Sequence, residues 1–497
     1  MISKLDLRRV SFFFFLCSHF CFVPTFAATY FQIDSTSKEV YPLILSLQLN
    51  NAKDVLLKRF DSDNLINQLF LDYIHFFDLY FNGNKTKFKE QLGREQQRLQ
   101  LIDLGPDNSP WKKYCKAEVY IHWAILKMKF GDYPGAIWDI RKAKVEVDEN
   151  RLRFPSFQAN IKPLALLECL FGSIPDQFKW GGSLFGLEGD VKMGLNMYEK
   201  LLSQSSFETS FFAEEIKLTH ALVLFHLSSN PEKAWVFMNK ENIPWNKHLL
   251  SYYVFAHISV YGGHSKALIN ASSKTIWDEN FIKIPHLMYL QALALTYAQA
   301  ASAEKQWNSY LSTSTELSYR KSALQKLAWI YFLTNNIEKY KEVMNRVFTE
   351  GEAVIDADKQ AFKEAQKGIL PNQILLKARL LCDGGYYEEG IHLLTSQSQN
   401  ESAKKEEVVE YFYRLARLQQ LNGNKDEAIT HYLKSYQTGD NSLYYSAASV
   451  YQLGIIYEEK KNFDEARKYY KLCLTMKDHE YVYSLSQKAK AGLNRIQ

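Results

Sequence analysis

From Leu453 onward, small and large apolar residues alternate with polar ones in a way that describes two helices and the turn between them. Leu453, Gly454 and Tyr457 fall within one helical turn, Lys461-Asn462 breaks the run, and Ala466, Tyr470 and Cys473 resume at i, i+4 and i+7. Gly454 and Ala466 let two backbones approach closely, and large aromatics fill the space beside them. One unit earlier the same order returns as Leu415-Ala416, the turn Asn422-Gly423-Asn424, then Ala428, Tyr432 and Ser435. Before that come Ala378, the turn Asp383-Gly384-Gly385, Gly390 and Leu394. Gly390, Ala428 and Ala466 each follow an acidic pair and recur at intervals of 38 residues. An equal interval twice over marks an internal repeat.

Upstream the pattern persists less regularly. Tyr120, Trp123 and Ala124 lead through Gly131-Asp132-Tyr133-Pro134 to Ala136, Ile140 and Ala143. Weaker pairs turn at Asn82-Gly83-Asn84, Ser229-Asn230-Pro231, Gly262-Gly263-His264 and Asn335-Asn336. No sustained alternation of β-branched residues occurs, so strands are not expected.

The paired small and large residues of these units resemble the tetratricopeptide repeat. The interval of 38 exceeds that family's usual period of about 34, which predicts a longer link between units. Asp440 and Asp478 stand where the family pattern ends in proline, a departure that touches the connector and not the helix pair. The resemblance implies an all-α fold of helix-turn-helix units stacked into a right-handed superhelix, an α-solenoid, whose first helices line a concave groove. Carried over from the family, groove positions fall on Asn372, Leu375 and Arg379, then on Glu410, Tyr413, Arg417 and Gln420, and finally on Tyr451 and Glu458. Arg379 and Arg417 are equivalent in adjacent units, as are Tyr413 and Tyr451. Arginine beside tyrosine combines planar carboxylate recognition with a rigid apolar face, so the groove is expected to take a protein or peptide segment of acidic character.

Residues 171–194 interrupt the array. There Ile174-Pro175, Trp180 and the Leu-x-Gly-x-x-Gly-Asp run ending at Asp190 resemble a segment of about 25 residues in the tetratricopeptide repeat protein 39 family and in exported bacterial repeat proteins. Trp180, Leu184 and Leu187 are expected to plug a gap between units while the glycines allow tight bends. The organisation expected is a leader over 1–27, a helical cap over 28–110, and degenerate repeats over 111–348. A connecting segment over 349–370 then leads to C-terminal repeats over 371–497.

The leader reading rests on Lys4, Arg8 and Arg9, the apolar run from Ser11 to Val23, and small residues at Thr25, Ala27 and Ala28 around a cleavage site after Ala27. The run is shorter than the roughly 20 residues of a spanning helix, and His19 interrupts it. An exported chain follows, periplasmic or secreted, with no spanning segment in its mature part. Four cysteines remain: Cys115, Cys169, Cys382 and Cys473. Their wide spacing and the lack of a CxxC pair read as small buried residues of helices, although an even count in an oxidising compartment permits disulfides.

Charge and motifs narrow the function. With 60 basic and 55 acidic residues, the chain lacks the positive field that nucleic-acid binding needs. HExxH, the Walker phosphate loop and GxSxG are all missing, and the twelve histidines do not pair at a metal spacing on one helix face. The recurring acidic pairs suit helix N-termini, where carboxylates meet the dipole, better than catalysis. No enzyme activity, cofactor or metal is expected. Asn84, Asn270 and Asn400 open glycosylation triplets that matter only in a eukaryotic source. The function expected is an exported scaffold or adaptor. The alternative is a glycan- or small-ligand-binding envelope protein, although carbohydrate-capturing repeat proteins carry a lipidated cysteine and large Trp/Asn-rich insertions that this chain lacks.

Overall fold

The computed structural model describes residues 28–173, 189–204, 206–228, 230–241, 243–275, 277–396 and 404–496. The leader, the body of the 171–194 insert with Trp180, Leu184 and Leu187, and the Asn400 triplet lie outside the described residues. The N-terminal segment forms α1 (Ser35–Leu45), α2 (Leu49–Lys58), α3 (Ile66–Asn82), α4 (Lys85–Gln91) and α5 (Gly93–Asp103). Helix pairs follow: α6 (Pro110–Phe130) with α7 (Tyr133–Arg153), and α8 (Ile161–Gly172) with α9 (Val191–Leu202). After the short α10 (Phe207–Phe211) come α11 (Ala213–Leu227) with α12 (Glu232–Lys240), and α13 (Leu249–Tyr261) with α14 (Ser265–Ser272). Next are α15 (Pro285–Tyr297) with α16 (Ala303–Thr313), and α17 (Arg320–Leu333) with α18 (Ile337–Thr349). A single α19 (Asp356–Lys367) precedes α20 (Gln373–Gly384) with α21 (Tyr387–Thr395), and α22 (Lys405–Leu421) with α23 (Lys425–Thr438). The last pair is α24 (Tyr444–Glu459) with α25 (Phe463–Thr475), closed by α26 (Val482–Arg495). Among the described residues there is no strand, only an isolated bridge between Tyr30 and Asn64. The fold is an all-α solenoid of the expected kind.

One turn joins most pairs. The carbonyls of Lys127, Ser259, Leu295, Tyr331, Leu381, Gln419 and Tyr457 each accept the N–H five residues on, at 2.7–2.9 Å. The residue before each of those donors has positive φ: Gly131, Gly263, Gln299, Asn335, Gly385, Gly423 and Lys461. This Schellman closure satisfies the last carbonyls of the first helix. At Asp132, Asn336 and Asn462 the next residue then caps the second helix with its side chain. Within the last unit, the pairing of small and large residues is borne out. A Cβ added at Gly454 or at Gly492 would stand 2.6 or 2.5 Å from the Tyr470 ring. The four cysteines are free and buried.

The N-terminal segment sits inside the curve of the array. Helix α3 buries residues on every side, from Leu69 and Phe70 through Tyr73 and Phe77 to Phe81, with Asn67, Gln68 and Asp72 among them. It packs on α6, Phe70 meets Phe211 of α10, and Phe81 meets Tyr253 of α13 edge-on. Its buried carboxylate is fully paired. Asp72 lies 2.7 Å from His122 Nδ1, forms an ion pair with Arg98, and accepts from Trp123 Nε1. Beside it Lys162 of α8 donates to Glu118 and Glu215 at 2.7 Å each, and Tyr41 and Tyr73 donate to Glu215 at 2.5 and 2.9 Å. That cluster ties α1, α3, α6, α8 and α11 together.

Residues 349–370, expected as a connector, hold α19, which lies side-on against α17 and α18. Asp358 accepts the backbone N–H of Tyr319 and Ser322 at the start of α17, and Glu364 accepts from Gln325 and Trp329. Helix α20 then packs on α13 and α15 as well as on α17. The turns of two units touch there: a Cβ on Gly385 would stand 1.7 Å from the carbonyl oxygen of Gly263.

Two predictions follow from the packing. Gly423 and Gly385 share one turn conformation, but nothing lies near a Cβ at Gly423. Gly423→Ala should cost only the left-handed strain of about 1–2 kcal/mol, and Gly385→Ala, which adds the clash, more than about 3 kcal/mol, read by urea unfolding. Lys162→Met leaves two buried carboxylates without their cation and should cost about 3–5 kcal/mol. Burial opposes ionisation of Glu215, but the charge and hydrogen bond of Lys162 outweigh it and hold its pKa below the ordinary value. The parent therefore gains stability above the unfolded carboxylate pKa of about 4.3 and loses it as pH falls further. The variant should unfold at higher pH in an acid titration followed by circular dichroism.

Candidate functional site

The first helices of the C-terminal units leave a concave hollow of about 650 Å³. Helix α19 contributes Gln360, Lys363, Glu364 and Lys367 to one wall, and α20 contributes Arg379 and Asp383. Helix α22 supplies Glu406, Val409, Glu410, Tyr413 and Arg414, and the start of α24 supplies Ser442 to Tyr445. The opposite wall is Glu480, Tyr481, Ser484, Leu485 and Lys488, from the turn before α26 and from that helix. Five basic and five acidic side chains face the hollow, so its charge is balanced, and four of the five cations are in ion pairs. Lys363 and Lys367 reach across to Glu480, and Lys363 also lies 5.0 Å from the centre of the Tyr481 ring. This clasp joins residues 113 apart in the chain.

Arg414 is the most deeply held of these groups. Its guanidinium donates to Glu410 at 2.8 Å and to the Tyr445 hydroxyl at 2.7 Å, and rests 5.0 Å from the centre of the Tyr445 ring. Tyr413 packs against Tyr445 and Tyr432, and burial holds its phenol above the ordinary pKa. Arg379 lies 5.0 Å from the centre of the Trp329 indole, and the Lys326 ammonium lies 4.0 Å from the same ring. Burial, and then repulsion from Arg379, lowers the Lys326 pKa to about 7. The lasting charge on this indole beside the hollow is therefore the Arg379 guanidinium, and the Lys326 amine is about half protonated at neutral pH.

The structure brings some of the expected groove residues together and places others apart. Arg379, Glu410 and Tyr413 line the hollow. Asn372 caps α20, accepting from the N–H of Ile374 and Leu375. Arg417 and Gln420 continue the Tyr413 face one and two turns on, outside the hollow; Arg417 donates to Gln420 and to Gln452, and Gln420 also accepts from Tyr432. Tyr451 packs on Tyr470, and Glu458 accepts from Tyr470 and from Arg495. Leu375 is a buried core residue. Arg414 carries no mark in the sequence because it lies one position off the family's groove stripe, and Tyr444 and Tyr445 because they precede the groove positions of their helix. Lys363, Lys367, Glu480 and Tyr481 carry none because α19 and α26 are not first helices of a recognisable unit.

The tetratricopeptide repeat family model matches residues 447–479, which cover most of α24 and all of α25. Residues 447–479 thus form a tetratricopeptide repeat. No curated protein matches it. Tetratricopeptide repeats mediate protein–protein interaction, and all-helical folds of this kind are typically non-catalytic scaffolds. Among the described residues, no helix is long and apolar enough to cross a membrane.

The shifted titration of Lys326 is testable. The folded pKa of Lys326, about 7, lies below the unfolded value of about 10.4, so between these pH values the unfolded chain binds more protons and stability rises with pH. Lys326→Met should raise the thermal midpoint at neutral pH, with the gain shrinking as pH rises toward about 10.4.

Proposed function

We propose that this tetratricopeptide protein is an exported scaffold that holds a segment of a partner protein in the hollow between α19 and α26. The observation that carries the reading is the difference between its two concave regions. The middle units close on the chain's own α3, whose residues are buried on every side. The C-terminal units leave open a hollow lined by four tyrosines and by cations on three walls. Tyrosine and arginine supply rigid contact area and planar hydrogen bonding, the combination that dominates binding hot spots. The partner segment is extended and carries acidic side chains, which meet Arg379 and Lys488 on opposite walls, with aromatic or aliphatic groups between them against Tyr413 and Tyr444. Export rests on the basic start, the short apolar run and the small residues before Thr29.

The test is cross-linking capture from the producing cell's envelope, read by mass spectrometry. The parent should enrich a specific protein, which Arg379→Glu with Lys488→Glu loses while Lys53→Glu, an exposed change on α2, keeps it. Equal capture by the groove variant would sink the groove assignment. The same spectra should place the mature N-terminus at Ala28; a retained leader would count against export by cleavage.

A further inference from the structure

Helices α11 and α13 are successive first helices of the middle array and pack on one another. Near its C-terminal end each carries an imidazole, His226 and His257. Their Nε2 atoms stand 3.1 Å apart, with ring centres 5.1 Å apart and planes tilted by 51°. Phe225 lies edge-on to both rings, and Tyr261 lies edge-on to His257. Aromatic walls therefore surround the imidazoles while His226 is exposed to solvent. Two Nε2 atoms at this distance share either a proton or a cation. Nitrogens bound to one ion at about 2.0–2.1 Å stand about 3.3 Å apart at a tetrahedral angle and about 2.9 Å apart at a right angle. The observed separation falls between those two bites.

We propose that His226 and His257 bind a divalent transition-metal ion of the Zn²⁺, Ni²⁺ or Cu²⁺ class through their Nε2 atoms. Each ring then carries its proton on Nδ1 and gives the Nε2 lone pair to the ion. Imidazole suits these ions, and no cluster of three or more potential ligands occurs among the described residues, so a hard, carboxylate-preferring ion such as Ca²⁺ is disfavoured. The remaining coordination positions belong to water or to a side chain from another molecule. A further imidazole stands close by: His286 of α15, whose ring centre is 6.3 Å from that of His257 and whose Nε2 is buried with no hydrogen-bond partner. The ion would add a second polar link between two units that Glu214 of α11 already joins through His248 and Ser251. The two histidines are 31 residues apart, one from each unit, which is why no spacing on a single helix reveals them.

The test uses purified full-length protein, Cu²⁺ at one equivalent followed by electron paramagnetic resonance, and Zn²⁺ titrated against a chromophoric chelator. The parent should bind one ion per chain, with a Cu²⁺ spectrum split by imidazole nitrogens. His226→Ala and His257→Ala should each weaken Zn²⁺ binding at least about tenfold and lose that splitting, whereas His392→Ala, exposed on α21, should do neither. His226 is exposed, so its variant should fold as the parent does, checked by circular dichroism. Parent affinity and spectrum retained in His226→Ala, or no Zn²⁺ uptake by the parent, would overturn the proposal.

Discussion

The structure depends on one aromatic-rich helix, α3, finding enough surface to bury residues on every side. A solenoid of helix pairs has a concave face, and an unfilled one exposes the first helices to water. Here α3 fills it across α6, α10 and α13. Phe70, Tyr73, Phe77 and Phe81 replace solvent along that face, and removing this much aromatic area from water is a large stabilising term. The same burial traps Asp72, Glu118 and Glu215, which would be prohibitive for lone carboxylates. Arg98, His122, Trp123, Lys162 and the two tyrosine hydroxyls supply the partners that make it tolerable. Those partners come from helices far apart in sequence, so the network can form only in this arrangement.

The C-terminal units have no such filler, which is why their hollow is open. Its walls are nevertheless held in place. Helix α19 is anchored on α17 by Asp358 and Glu364, and its lysines clasp Glu480 beside α26. Helix α20 meets the middle array where two glycine turns touch, and any side chain on Gly385 would push them apart. The position of Arg379 therefore follows from contacts with the middle units as much as from its own repeat. Arg379 and Arg417 are equivalent in the repeat and differ in their surroundings: Trp329 and the hollow for one, Gln420 and Gln452 for the other.

Legibility in the sequence follows the strength of local constraints. The last unit was readable because Gly454 has to pass beneath Tyr470, which leaves a small residue and a large one at fixed places. The turns at Gly131, Gly385 and Gly423 were readable because a left-handed residue favours glycine. The same conformation at Gln299 carries no such mark, since a few residues bear the strain when the hydrogen bonds on either side over-determine it. Arg414 was passed over because a buried arginine is recognisable only through Glu410 and Tyr445, and Tyr445 lies in the next unit.

By itself, then, the sequence determined the helix-turn-helix unit, its interval, its all-α class and the small-against-large pairing inside each unit. These are consequences of backbone geometry and of side-chain size at neighbouring positions. Only the tertiary structure decided that α3 lies within the curve of the array, that residues 349–370 form a docked helix, and which of two equivalent arginines lines the hollow. Each of those outcomes turns on which surface is left over once the local pairs have formed. That surface is a property of the stacked array, to which residues hundreds of positions apart contribute at once.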